Sequence, residues 1–161
     1  VTRRTLLAAA FASGCISKQE ISVVDWPQVG RAVGSGPGLI YFWALWSRPS
    51  VELLPSVAEL ATEHEALRFV AVCLDDDPDA ALPRVASITR SLAASLEHLV
   101  APLDFERLEA EYQLTEPPAA VIFSAAGEAL ARLEGEGLTP DRLDAFAAEA
   151  AAMMTTPPLG R

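Results

Sequence analysis

Four apolar runs of strand length, each separated from the next by a stretch that suits a helix, restrict this chain more than anything else in it. They cover residues 39–43, 67–74, 98–103 and 119–123. Runs that are apolar on both alternating faces suit strands buried on both sides, as in a sheet covered by helices. The stretch 47–62 carries Val51, Leu54, Val57, Ala58 and Ala61 at spacings of three and four, which gives one apolar stripe on a helix. Pro55 lies inside that stripe and is expected to bend the helix. Further helices are expected over 79–96 and 105–112, and a short one over 26–33 with Asp25 as N-cap. Ala126-Gly127-Glu128 marks a turn that returns 129–134 against 119–123 as a hairpin. Thr139 and Pro140 open a last helix that runs to about Met154. Strands joined by helices imply parallel pairing, and the closing hairpin adds an antiparallel edge. The expected architecture is α/β, a central mixed sheet of about five strands flanked by helices. At 161 residues it is expected to form one domain over 25–154.

Charge removes several function classes. There are 12 basic against 22 acidic residues, a formal net charge of -10, and Lys18 is the only lysine. Phosphate backbones need clustered Lys and Arg, so nucleic acid is not an expected partner. Cys15 and Cys73 are too few and too differently placed for a disulfide framework. His64 and His98 stand apart from each other and from any cysteine, and both read as ordinary surface or helix-end residues. No metal and no cofactor is expected. The acidic stretch 75–79 reads as a solvated loop that caps the following helix, since Ca²⁺ needs six or more spaced oxygen ligands.

The first fifteen residues have the layout of an export signal. Arg3 and Arg4 supply positive charge, 5–12 a short apolar stretch, and Ala12-Ser13-Gly14 small residues running up to Cys15. This resembles a bacterial lipobox, which implies lipidation of Cys15 and attachment to a membrane through lipid. Residues 2–7 also resemble a twin-arginine motif. Residues 16–24 are expected to act as a tether and 155–161 as a disordered tail.

Directly after the first apolar run stands Trp46-Ser47-Arg48-Pro49-Ser50. With the order of elements, this resembles the thioredoxin superfamily. Within it, the likeness is to the exported TlpA/ResA-like (redoxin) branch of thiol-disulfide oxidoreductases. Phe42-Trp43-Ala44-Leu45-Trp46 matches that branch's lead-in, Pro49 its motif proline and Pro55 its helix proline. Tyr112, Pro118, Phe123 and Gly127 match its second landmark, which implies a cis bond before Pro118. The departure is at the chemistry. Thiol-disulfide exchange needs an attacking thiolate and a second sulfur that resolves the mixed disulfide. Ser47 and Ser50 occupy those positions, and Tyr41 stands where the family carries a buried acid.

No other residue takes over. Ser47 as a nucleophile needs a neighbouring base. His64 falls roughly 25 Å further along the same helix, and the sequence does not locate His98. Ser47 reads instead as the N-cap of its helix. Cys73, in an apolar strand, reads as buried and inert. What the resemblance leaves is a docking face for a protein or extended peptide in the cell envelope, made by Trp46, Arg48, Pro49, Glu116, Pro117 and Pro118. From sequence alone Trp46 serves either packing or docking. Family membership by itself implies a different role, an oxidoreductase of envelope redox homeostasis or cytochrome maturation.

Overall fold

The computed structural model describes residues 20–34, 36–135 and 137–155. Its elements in chain order are β1 Ile21–Val23, α1 Trp26–Val33, β2 Gly38–Trp43, α2 Arg48–Glu63, β3 Arg68–Asp75, α3 Pro78–Thr89, β4 Leu96–Pro102, α4 Phe105–Tyr112, β5 Ala119–Phe123, β6 Ala129–Glu134 and α5 Pro140–Thr155. The strands make one six-stranded sheet in the order β1-β4-β3-β2-β5-β6. β1, β4, β3 and β2 run parallel, β5 is antiparallel to β2, and β6 is antiparallel to β5.

Burial on both faces explains the uninterrupted apolar runs. Every residue of β2 and β5 is buried. On one face Leu39, Tyr41, Trp43, Phe69 and Val100 meet α2, α3 and α5 through Leu54, Val57, Val85, Leu143 and Phe146. On the other, Ile40, Phe42, Val72 and Leu99 meet α1 and α4 through Trp26, Val29, Leu108 and Tyr112. Trp26, Phe42, Tyr112 and Phe123 form a chain of aromatic contacts there, with ring centroids 5.0–6.3 Å apart. The indole N–H of Trp26 donates to the Pro102 carbonyl at 3.0 Å, so this aromatic is buried without an orphaned donor.

Short polar residues begin the helices. Asp25 and Gln28 close a capping box, each side chain accepting the other's backbone N–H at 2.8 Å. Asp77 accepts from Ala80 and Asp104 from Arg107. The acidic stretch is thus a capping loop, with the Asp75 carboxylate holding the Asp77 amide at 3.0 Å. Gly127, at φ +80, makes the β5–β6 turn that its position suggests.

Three expectations change. Residues 21–23, read as tether, are the edge strand β1. Ile21, Ser22 and Val23 pair with His98, Leu99 and Val100, and the Val24 amide extends the ladder to the Val100 carbonyl at 2.8 Å. Two half-buried residues and an exposed Val23, held mainly by backbone pairing, carry no periodicity to read. α3 stops at Thr89, short of 96, because turns closed by Leu92 N–H on Thr89 and Leu96 N–H on Ala93 lead into β4. His98, read as a surface or helix-end residue, is buried in β4 at 1% exposure. Cys15 and the tail beyond Thr155 lie outside the described residues, among which no helix is long and apolar enough to cross a membrane.

Candidate functional site

The site lies where the chain leaves the carboxyl end of β2 and enters α2. The β2–β5 register ends with Phe42 opposite Ala119. Continued by one residue, it brings Pro118 beside Trp43, so the 44–50 turn and the 116–118 loop share one end of the sheet. The Pro117–Pro118 peptide bond in that loop is cis.

Ser50, fully buried in the first turn of α2, holds this turn together. Its hydroxyl accepts the Ala44 N–H at 3.1 Å and faces the carbonyls of Ala44 at 3.0 Å and Ser47 at 2.7 Å. One proton serves two acceptors, and the shorter contact to Ser47 is the better placed. From below, the Tyr41 hydroxyl donates to the Ser50 carbonyl at 2.7 Å. Burial pushes the Tyr41 phenol far above its ordinary pKa, so it stays neutral and acts as a donor. A neutral tie to the first helical turn therefore stands where the resembled family has an acid.

These contacts set the cost of altering the two serines differently. Ser50→Ala leaves the buried Ala44 amide without its partner and is expected to lower stability by about 1–3 kcal/mol. Ser47 occupies the N-cap position with extended backbone, but its side chain makes no capping hydrogen bond. Ser47→Ala is therefore expected to change stability by less than about 0.5 kcal/mol. Urea unfolding of the two variants beside wild type measures both, and equal losses would contradict this division of labour.

Among the described residues neither serine hydroxyl is hydrogen-bonded to a basic side chain. Among the described residues the Ser47 hydroxyl has no hydrogen-bond partner. His98 is on β4, two strands away from β2. Cys73 is fully buried in β3, opposite Trp43 and Val100. Burial, with a smaller contribution from the Asp75 charge, pushes its thiol up to about 12, which keeps it protonated and unreactive.

The residues expected to make a docking face divide into two groups. Trp46 is 55% exposed and is not a core residue. Arg48 and Pro49 are exposed beside it, and Glu116 is exposed on the neighbouring loop. Arg48 is tied to Glu52 at 2.7 Å along the outer side of α2. Pro117 and Pro118 are buried and shape the loop from within rather than offering side-chain surface. A separate cleft of about 350 Å³ between α2 and the end of α3, lined by Pro55, Ala58, Thr62, Ser91, Leu92 and Ala93, contains none of these residues.

No protein-family model and no curated protein matches the sequence. Solved structures do match the fold. A secreted Mycobacterium tuberculosis disulfide oxidoreductase homologous to E. coli DsbE is similar at 20% identity and a TM-score of 0.57, over 74% of this chain and 85% of that one. A protein from Chlorobium tepidum described as a thiol:disulfide interchange protein DsbE is similar at 19% identity and a TM-score of 0.58, over 75% and 83%. The exposed lipoprotein thioredoxin Etrx1 of Streptococcus pneumoniae is similar at 18% identity and a TM-score of 0.53, over 74% and 89%. At such identities the likeness establishes the fold, and this chain has a thioredoxin-like fold.

Proposed function

We propose that this protein is a redoxin-like binding module of the cell envelope that docks an extended polypeptide without performing thiol-disulfide exchange. The observation that carries the reading is Trp46, an indole left 55% exposed beside a helix start whose two sulfur positions hold hydroxyls. One of those hydroxyls, on Ser50, is consumed in holding the backbone. Exposed aromatic surface next to a rigid turn gives a partner an anchor at low entropic cost. Arg48, Pro49 and Glu116 surround the anchor, and Pro117 and Pro118 support it. Export and lipid attachment at Cys15 belong to the same reading. They rest on the order of charged, apolar and small residues before that cysteine. Mass spectrometry of the N-terminus of protein recovered from cells checks this part, and an unmodified Cys15 would reject the anchor.

The docking face is tested with an array of unstructured peptides probed by wild type and by Trp46→Ala. Burying about 100 Å² of indole contributes about 2–3 kcal/mol. Trp46→Ala is therefore expected to weaken every bound peptide by about 30-fold or more while leaving thermal stability unchanged. Peptide binding that survives the substitution would remove Trp46 from the site and the reading with it.

A further inference from the structure

We propose that Glu63, His64 and Asp144 form a Zn²⁺ site that ties the end of α2 to α5. Glu63 is the last residue of α2, His64 is its C-cap, and Asp144 lies one turn into α5, which packs against α2. One ligating atom from each of the three lies within 4.8 Å of the others. Tetrahedral Zn²⁺ with nitrogen and oxygen ligands spaces them about 3.4 Å apart. The side chains therefore close by about 1.4 Å at most, which rotamer changes at this partly open position supply. The backbone carrying His64 is held on both sides, its N–H on the Leu60 carbonyl and its own carbonyl on the Leu67 N–H, each at 2.9 Å.

The surroundings favour a cation. Glu63 and Asp144 line a recess of about 180 Å³ together with Glu59 and Asp141, and among the described residues no basic side chain lines it. Among the described residues none of these four carboxylates is in an ion pair or a hydrogen bond. By contrast Glu52, Glu97, Asp104 and Glu111 each hold an arginine. The unsatisfied carbonyls that end α2 add partial negative charge on the same side. An imidazole with two carboxylates suits Zn²⁺, which takes nitrogen and oxygen in a four-coordinate shell and leaves the fourth position to water. Ca²⁺ and Mg²⁺ ask for more ligands, all oxygen. Spacing along the sequence hides the site, because its third ligand comes from a different helix.

The test is calorimetric titration of the full chain with Zn²⁺ alone in metal-free buffer. A Cys15→Ser background keeps that thiol, a possible competing ligand, out of the measurement. One ion is expected per chain, with a micromolar dissociation constant and a raised Tm. His64→Ala and Asp144→Ala, each checked by circular dichroism, are each expected to weaken binding by about tenfold or more and to abolish the Tm shift. Glu52→Gln, outside the recess, is expected to leave both unchanged. Absence of stoichiometric binding, or parental affinity in either folded variant, overturns the proposal. So does equal binding of Mg²⁺.

Discussion

The Ser47→Cys/Ser50→Cys variant is expected to reduce a peptide disulfide, with dithiothreitol as electron source, at least about tenfold faster than wild type. Wild type is expected to match the protein-free control. The geometry gives three reasons. Position 47 is the N-cap of the 16-residue α2. A thiol there sits at the positive end of a helix dipole, which lowers its pKa and favours the attacking thiolate. Position 50 lies three residues on, and helix geometry puts the two Cα atoms about 5 Å apart, within reach of a disulfide. The Ser50 hydroxyl already lies 2.7 Å from the Ser47 carbonyl, so a sulfur at 50 starts beside the turn that carries its partner. Exchange then proceeds as the chemistry requires: the thiolate at 47 attacks, one substrate sulfur leaves as thiolate, and the sulfur at 50 resolves the mixed disulfide. Ser47→Cys alone is expected to form the mixed disulfide and stop. Turnover by unaltered wild type would defeat the non-catalytic reading. An inert double variant that still folds would mean that the neutral Tyr41 contact, and not only the missing sulfur, disables the site.

Much of this arrangement is legible in the residues because buried strands and capped helices leave local signatures. The runs at 119–123 and 129–134 and the helix at 105–112 coincide with β5, β6 and α4 to the residue. Turn chemistry at Gly127 and the Asp104 cap bound them on either side. What stays hidden depends on tertiary contacts. β1 is specified by an open edge of β4, not by its own three residues. Ser47 has the right side chain for a cap, yet Ser50 takes the hydrogen bonds, because only its hydroxyl points back into the turn. The pairing of Tyr41 with Ser50 follows from α2 lying across β2, which no spacing rule anticipates. Trp46 and Pro118 look alike as motif residues, and only the fold separates the exposed indole from the buried proline.

His98 is expected to make the protein sensitive to mild acid. It stands in β4 between Ile21 of β1 and Ala71 of β3, on the face that also carries Leu96 and Val100 and that α3 covers. Among the described residues neither ring nitrogen has a hydrogen-bond partner. The charged pair Arg68 and Glu97 is of no help, since the Glu97 side chain leaves the strand on the opposite face. Burial pushes the imidazole down to about 4 from its ordinary 6.5. Between those values the unfolded chain holds a proton at this position that the folded chain does not, so stability rises with pH. The contribution is complete above about pH 6.5 and is lost as pH falls through 4, a total of about 3 kcal/mol. Carboxylates titrate in part of the same range, so the comparison must be with His98→Leu, which removes this proton site alone. That variant is expected to be more stable than wild type already at pH 7, by about 1–2 kcal/mol, because two unpaired polar atoms leave the core. Its margin is expected to widen by a further 2–3 kcal/mol or so by pH 4.5. Urea unfolding of both proteins across pH 7.5 to 4.5 measures the margin. A constant margin would mean that the folded protein protonates His98 as readily as the unfolded chain, through water or a backbone opening at the short β1 edge.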